Sequence, residues 1–275
     1  MWSIGIYSGD SPFELKPVQP GPVLTKDNVS DIPAEFVADP FMLRRDRTWY
    51  MFFEVMNSET KLGEIGLAAS DNGSSWTYQH IVVKEPFHLS YPYVFKSQND
   101  YYMLPETLDA GAVCLYKALD FPSRWSCVAR LLEGQFADPS VFHCDDLWWM
   151  FACSTPYQHD TLRLYYASDL TGPWTEHPKS PIIRDDKCRA RPAGRILKFD
   201  NQVFRFAQDC GPQYGSSVRV FKITELTIKS YAEVEHHRSP ILGAGGNGWN
   251  ASRMHHVDAC RQPDGKWLAC VDGAS

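Results

Sequence analysis

Four polar residues, each followed by a proline, recur at intervals of about 50 residues along the chain. They are Asp39, Tyr91, Asp138 and Arg191, in the segments ADPFMLRR, SYPYVFKS, ADPSVFHC and ARPAGRIL. Aspartates can act as acids, bases or nucleophiles, and an arginine can bind a carboxylate or phosphate through two parallel hydrogen bonds. If the fold brings these positions together, they form a site for acid–base chemistry on a polar ligand.

A second repeat indicates which elements position these residues. The pattern Asp-x4-Trp occurs three times at a spacing of 49 residues, over Asp71–Trp76, Asp120–Trp125 and Asp169–Trp174. Each copy lies between two strand-like runs, so it predicts the turn between a third and a fourth strand, with a tryptophan packed between repeats. A period of about 50 residues is typical of a four-stranded propeller blade.

The repeats predict an all-β fold, a five-bladed β-propeller that forms one domain over residues 1–275. The last blade has only two C-terminal strands, within MHHVDACRQP and GKWLACVD, and the N-terminal run WSIGIYSG is a further strand. We therefore expect the N-terminal strand to close the last blade, which leaves no open sheet edge and brings the termini close together.

Composition excludes several classes of partner. A net charge of −6 provides no basic stripe for nucleic acid, and no apolar run approaches the roughly 20 residues of a membrane-spanning helix. The eight cysteines never form a C-x-x-C pair, which argues against zinc and favours free thiols in a reducing compartment. The sequence predicts a cytoplasmic protein with no membrane span, no nucleic-acid partner, no cofactor and no metal.

Propeller geometry predicts where a site lies. The start of the first strand and the end of the second strand of every blade converge on the axis at one face. The first-strand positions are Asp39, Tyr91, Asp138, Arg191 and His256, and the second-strand positions are Glu54, Glu106, Ser154, Gln208 with Asp209, and Asp272. Polar residues at repeated inward positions call for a ligand or a paired network. His255 and His256 are neighbours in a predicted strand, so we expect at most one to face the axis.

Several segments resemble a known group of enzymes. ADPFMLRRDRTWYMFFE and ADPSVFHCDDLWWMFA are similar to the first- and third-blade segments of glycoside hydrolase family 43 and its relatives, the invertases and levansucrases. Other segments more specifically resemble the N-terminal propeller domain of plant glucosamine inositolphosphorylceramide transferases and its bacterial relatives. They are SYPYVF paired with YYMLPET, RPAGRI paired with AQD, and MHHVD. The resemblance implies a five-bladed propeller that acts on a carbohydrate or glycoconjugate.

The resemblance also implies residue roles. Asp39 matches the aspartate that serves as general base or nucleophile, and Asp138 matches the one that orients the sugar and tunes the pKa of the acid. The family supplies its general acid, a glutamate, from the fourth blade, where this chain has Arg191. Family members often carry an axial cation near a fifth-blade histidine, but no local carboxylate cluster in this sequence specifies one.

Glycoside cleavage needs a carboxylic acid and a carboxylate on opposite sides of the bond, so the acid requires a replacement. Glu106 is the favoured replacement, with Glu54 and Asp209 as alternatives, because neighbouring carboxylates raise one another's pKa. Arg191 would hold one carboxylate ionised or clamp an anionic sugar group. Alternatively, these residues form a buried network that only pins the blades together.

Three functions remain open at this point. The first is a glycosidase or transglycosidase that uses Asp39, Asp138 and Glu106. The second is a sugar-transferring enzyme in which Arg191 binds the phosphate of an activated donor. The third is a glycan-binding module without catalysis. In each case the predicted substrate contacts are Glu54, Tyr91, Arg191, Gln208, Asp209, His255 and His256.

Overall fold

The computed structural model describes all 275 residues and consists of β-strands and three single-turn 3₁₀ helices. In chain order the strands are β1 (Trp2–Ser11), β2 (Glu14–Pro17), β3 (Ala34–Arg45), β4 (Thr48–Asn57), β5 (Gly63–Ser70), β6 (Thr77–Val83), β7 (Ser90–Ser97), β8 (Asp100–Glu106), β9 (Ala112–Asp120), β10 (Arg124–Glu133), β11 (Ala137–Cys144), β12 (Leu147–Cys153), β13 (Leu162–Ala167), β14 (Thr175–Glu176), β15 (Leu197–Phe199), β16 (Gln202–Asp209), β17 (Ser217–Leu226), β18 (Tyr231–Glu235), β19 (Leu242–Gly243), β20 (Val257–Arg261) and β21 (Trp267–Ala274).

The strands form five antiparallel sheets, which are the five predicted blades. Blade 1 is β3–β6, blade 2 is β7–β10, blade 3 is β11–β14, and blade 4 is β15–β18 with β19 paired to β17. Blade 5 has the order β20-β21-β1-β2, so the N-terminal strands supply its outer half. The all-β five-bladed fold and its closure by the N-terminal strand are confirmed.

The closing contact is extensive. Strand β1 pairs with β21 from Trp2, opposite Ala274, to Gly9, opposite Trp267. The amino group of Met1 donates a hydrogen bond to the carbonyl oxygen of Ser275 at 2.8 Å. The two ends of the chain therefore meet, as the repeat predicted.

The tryptophans of the Asp-x4-Trp repeat hold the turns between third and fourth strands, as expected. The indole nitrogens of Trp76, Trp125 and Trp174 donate to backbone carbonyls three or four residues earlier in the chain. The ring of Trp125 in blade 2 also lies edge-on to Phe52 of blade 1, with 5.4 Å between centroids. The repeat thus marks both a turn and a contact between blades.

Two predicted strand starts are wrong. Strand β15 begins at Leu197 and β20 at Val257, so Arg191, His255 and His256 all precede the inner strands of their blades. In blade 4 the intervening segment carries Gly194, which forms a parallel bridge to Val257 of blade 5. Residues 191–193 still bond to β16 within blade 4, so an irregular segment that contacts both blades takes the place of the first part of the expected strand.

All eight cysteines are free thiols, as their spacing indicated. Four of them are buried, where cysteine packs as a small apolar residue. No helix in the structure has the length and apolar character needed to cross a lipid bilayer.

Candidate functional site

A repeated backbone irregularity presents three of the predicted site residues. Asp39, Tyr91 and Asp138 all have positive φ angles, of 51°, 48° and 50°, in the left-handed region that non-glycine residues seldom occupy. In each case the pairing register of the first and second strands shifts across this residue and its proline. The three blades thus use the same bulge to turn a side chain out of the sheet and towards the axis.

Tyr91 lies where the five blades meet. Its hydroxyl group is 2.8 Å from that of Ser140 in blade 3, donates to the carbonyl of Gly194 in blade 4, and accepts the Gly194 amide hydrogen at 2.7 Å. Its ring packs edge-on against Phe41 of blade 1 and His256 of blade 5. Tyr91 is fully buried, and its polar atom is already satisfied by the protein.

Arg191 joins blades 2, 3 and 4 on one side of the axis. Its Nε donates to Oδ2 of Asp138 at 2.6 Å, and its Nη2 reaches Oε2 of Glu106 at 3.3 Å. Its Nη1 donates to the carbonyl of Pro156 and lies 3.1 Å from Nδ1 of His159. Because every guanidinium nitrogen has a protein partner, Arg191 fills the place in which the resemblance anticipated a free acid.

The carboxylates at this side are also bonded to the backbone and to an amide. Oε2 of Glu106 accepts the amide hydrogen of Asp138 at 3.0 Å, a bond from the end of one blade to the start of the next. Oδ2 of Asp138 accepts a hydrogen bond from Nε2 of Gln208 at 2.9 Å. Glu106, Asp138, Arg191 and Gln208 therefore form one connected network across three blades.

The same junction recurs between blades 5 and 1. Oδ2 of Asp272 accepts the amide hydrogen of Asp39 at 3.0 Å, and its Oδ1 lies 2.8 Å from Nδ1 of His255. The Nδ1 atoms of His255 and His256 lie 4.0 and 3.8 Å from Oδ1 of Asp39. Because both histidines precede β20, both reach this carboxyl, and the expectation that at most one would face the axis is wrong.

Burial and like charges raise the pKa values of two acids in the cluster. Burial raises the pKa of Asp39 well above its usual range, and Asp272 and Asp138 add to the rise. Burial, followed by the charge of Asp138, raises the pKa of Glu106 to about 8. In contrast, burial raises the pKa of Asp272, but His255, His256 and the Asp39 amide together lower it below its usual value. Asp39 and Glu106 therefore favour the protonated form.

Two of the predicted contacts lie at the edge of this cluster or outside it. Oε1 of Glu54 lies 3.3 Å from Nε2 of His88, and although burial lowers the pKa of His88, Glu54 and the more distant Glu106 and Asp109 together raise it. Asp209 instead binds Arg219 within blade 4, and the Gly211 amide and Arg219 lower its pKa despite burial. A general acid must hold a proton, so the lowered pKa of Asp209 argues against the role of replacement acid that was considered from the sequence.

Four residues near the cluster were not singled out from the sequence. The ring of Tyr214 lies under the Arg191 guanidinium at 5.2 Å, and His88 contacts Glu54. His159 contacts Arg191, and Trp2 stacks on His255 with 4.0 Å between centroids. All four lie in loops or at a chain end, outside the repeated positions, so no periodic signal could have identified them.

The cluster contains one group of potential metal ligands. One ligand atom each from Asp39, His255 and Asp272 lies within 4.8 Å of the others, a grouping that the sequence conceals because the residues are far apart in the chain. His255 and Asp272 already bond to each other, however, so a metal there would have to displace their hydrogen bond. Both ring nitrogens of the buried His256 lack a partner, and they are the atoms that a water molecule or cation would satisfy.

The blade order and the polar axial cluster define the class of fold. The chain is similar to the catalytic domain of the GH62 α-L-arabinofuranosidase of Coprinopsis cinerea, with a TM-score of 0.65 and 13% identity over 98% of this chain and 97% of that one. It is also similar to the α-L-arabinanase of Cellvibrio cellulosa, with a TM-score of 0.60 and 14% identity over 85% and 90% of the two chains. The protein has the five-bladed propeller fold that these glycosidases share.

Sequence comparison then identifies the family. Residues 1–274 match the family described as glucosamine inositolphosphorylceramide transferase 1, N-terminal, and the chain belongs to it. It is 37% identical to glucosamine inositolphosphorylceramide transferase 1 of Oryza sativa subsp. japonica and 35% identical to that of Arabidopsis thaliana, in each case over 99% of this chain. The chain spans about two fifths of the length of these relatives, 40% and 39%.

Proposed function

We propose that the axial cluster binds the sugar of a glycoconjugate, specifically an amino sugar, in support of glycosyl transfer. The observation that carries this proposal is an excess of acid at one place. The cluster contains five buried carboxyl groups, those of Asp39, Glu54, Glu106, Asp138 and Asp272, and a single arginine, Arg191, which contacts two of them. Asp39 and Glu106 favour the protonated form on their own, but a positive charge beside them would favour their ionisation, so the cluster can supply negative charge to a cationic ligand.

The names of the relatives agree with this ligand class, since glucosamine is an amino sugar. An ammonium group near Asp39 would form charge-assisted hydrogen bonds and stabilise the ionised carboxylate. Tyr157, which follows Pro156 beside Arg191 and is 69% exposed, offers an aromatic face on which a sugar ring can stack.

The contacts of the carboxyl groups favour binding over hydrolysis. Hydrolysis needs one protonated acid and one free carboxylate. Asp138 is tied to Arg191 and Gln208, and Asp272 is tied to His255 and to the Asp39 amide. The raised pKa of Asp39 disfavours the ionised form that a base or nucleophile requires.

A glycosidase or transglycosidase remains the second candidate because of one observation. Burial raises the pKa of Glu106 to about 8, so this group holds a proton at neutral pH, as a general acid must. In that mechanism Glu106 protonates the leaving oxygen and Asp39 activates water or attacks directly. The loss of turnover in Asp39→Asn, with an unchanged melting temperature, is its expected signature.

Calorimetric titration distinguishes the two candidates. We expect glucosamine to bind the protein, and glucose and N-acetylglucosamine to bind at least tenfold more weakly because they lack the ammonium group. Asp39→Asn should abolish the preference for glucosamine, whereas the control Asp209→Asn, outside the cluster, should retain it. Equal affinity for all three sugars would contradict an amino-sugar site. Release of nitrophenol from 4-nitrophenyl glucosaminide, lost in Asp39→Asn, would support the glycosidase instead.

A further inference from the structure

A ring of basic residues occupies the face opposite to the axial cluster, which we call the lower face. There the first strand of each blade turns into the second, and at least one basic side chain lies near the turn in every blade. The five are Arg44, Lys96, His143, Lys198 and Arg261, all of them exposed. Four lie directly opposite an aromatic residue on the neighbouring strand, in the pairs Arg44 with Trp49, Lys96 with Tyr101, His143 with Trp148 and Arg261 with Trp267.

A cavity that we call the lower pocket opens on this face. It has a volume of about 680 Å³ and lies between blades 1, 2 and 5. Its cationic lining residues are Arg44, Lys96, Arg195 and Arg261, and no carboxylate lines it. The lining is otherwise mostly apolar, with Met42, Leu43, Trp49, Val94, Phe95 and Pro263.

Three of these cations are free to bind a ligand. Arg195 pairs with the buried Asp258 at 2.7 Å, but Arg44, Lys96 and Arg261 take part in none of the ion pairs of the structure. The chain as a whole has a net charge of −6, so this group of unpaired cations beside an apolar floor is a locally positive site on an acidic protein. Such a pocket is complementary to an anion that carries an apolar group.

The lower pocket is separate from the axial cluster. Asp39 and Arg44 are five residues apart on β3, which corresponds to roughly 16 Å along a strand. Between them the guanidinium of Arg195 bonds to Asp258 and lies over the rings of Phe41 and Tyr93. This packed layer closes the axis, so a ligand in the lower pocket does not reach Asp39.

We propose that the lower pocket binds a single phosphate ester with an apolar substituent. The phosphate lies between Arg44, Lys96 and Arg261, and the substituent packs on the apolar floor. A flat anionic membrane surface fits less well because every hairpin turn on this face carries an acid, namely Asp46, Asp100, Asp145, Asp200 and Asp264. The proposal is independent of the function proposed for the axial cluster.

Binding of hexyl phosphate, measured by calorimetry at low salt, tests the proposal. We expect one molecule to bind per chain, more tightly than inorganic phosphate or 1-hexanol. Arg44→Gln and Arg261→Gln should each weaken binding roughly tenfold, the effect of removing one charge-assisted hydrogen bond. Lys198→Gln is the matched control, because Lys198 occupies the same ring but does not line the pocket. Asp39→Asn should bind hexyl phosphate as the unaltered protein does.

Several results would overturn the proposal. Absence of binding would remove the site, and equal affinity for hexyl phosphate and inorganic phosphate would show that the apolar floor plays no part. An equal loss in Lys198→Gln would show that only the overall charge of the face matters. Sedimentation with phosphatidylserine vesicles without binding of monomeric hexyl phosphate would assign the face to a membrane surface instead.

Discussion

At the scale of single residues, Arg191 determines what the axial cluster can do. Its Nε and Nη2 atoms bond to Asp138, Nη2 also reaches Glu106, and its side chain is only 10% exposed. A buried ion pair gains little net stability over an apolar packing, but removal of one partner leaves the other charge buried and unpaired. Arg191 therefore stabilises the acids that surround it while it prevents Asp138 from acting as a free carboxylate.

Replacement of Arg191 tests this network. Arg191→Gln should lower the free energy of unfolding by about 3–5 kcal/mol because Asp138 loses its partner, and Arg191→Lys should lower it less because a charge remains. Urea denaturation measures both. Arg163→Gln is the control, since Arg163 pairs with Glu176 near the surface and should cost under about 1 kcal/mol. Similar losses in Arg191→Gln and Arg163→Gln would contradict the buried network.

The pKa of Glu106 predicts how stability depends on pH. Burial raises this pKa from 4.5 to about 8 in the folded state. As pH rises from 4.5 to 8, the carboxyl therefore ionises more readily in the unfolded chain, and the free energy of unfolding falls. Below pH 4.5 the group is protonated in both states and has no such effect. Glu106→Gln removes this penalty, so the variant should gain about 1–3 kcal/mol relative to the unaltered protein at pH 8 and nothing at pH 4.

Unfolding in urea at pH 4, 6 and 8 measures that difference. Asp209→Asn should show the opposite dependence of stability on pH. The pKa of Asp209 is lowered in the folded state, so its ionised carboxylate stabilises the protein at pH values above the unfolded pKa. This control variant should therefore lose stability at neutral pH and converge with the unaltered protein in acid. A pH-independent effect of Glu106→Gln would show that the proton is not held there.

At the scale of elements, the sequence repeat predicted positions well and connections less well. The bulges at Asp39, Tyr91 and Asp138 follow from a residue–proline pair at a constant place in each blade, which periodicity reveals. Arg191 shares the motif but precedes the regular strand, and the segment around it bonds both to β16 in blade 4 and, through Gly194, to blade 5. The contacts of loop residues such as His88 depend on tertiary packing and have no periodic signal.

The Gly194 bridge is an element on which the junction of blades 4 and 5 depends. Its φ is +135°, and a Cβ atom there would lie 1.8 Å from the carbonyl oxygen of Val257. Gly194→Ala should therefore destabilise the protein by more than about 3 kcal/mol, because it adds a backbone clash to the cost of the strained φ. Gly111→Ala, at φ +65° with open space around it, should cost only about 1 kcal/mol.

Thermal unfolding of the two alanine variants measures what the Gly194 position costs beyond an ordinary positive φ. Alanine tolerates a φ of +65° far better than one of +135°, so the difference between the two melting temperatures reports the additional strain and the clash with Val257 together. If the two variants melt together, the backbone of blade 4 moves away from blade 5 at little cost, and the bridge does not hold Arg191 in place.

At the scale of the whole molecule, the axial cluster exists only because the ring closes. Asp39 from blade 1 and Asp272 from blade 5 meet through a hydrogen bond that joins residues far apart in the chain. Strand β1 covers the edge of β21, and its residues Ile4 and Ile6 are fully buried. Loss of this strand would expose apolar surface and an unpaired sheet edge at the same time.

Ring closure predicts different outcomes for two rearrangements of the chain. Deletion of residues 1–17 removes β1 and β2, and we expect the product to lose its cooperative thermal transition. In a circular permutant, a short Gly-Ser linker joins Ser275 to Met1 and the chain is opened between the exposed Gly134 and Gln135. Every strand pair is preserved, so this protein should keep the cooperative transition. Calorimetry of both proteins provides the comparison. If the truncated protein melts like the permutant, the axial cluster does not depend on the two N-terminal strands that complete blade 5.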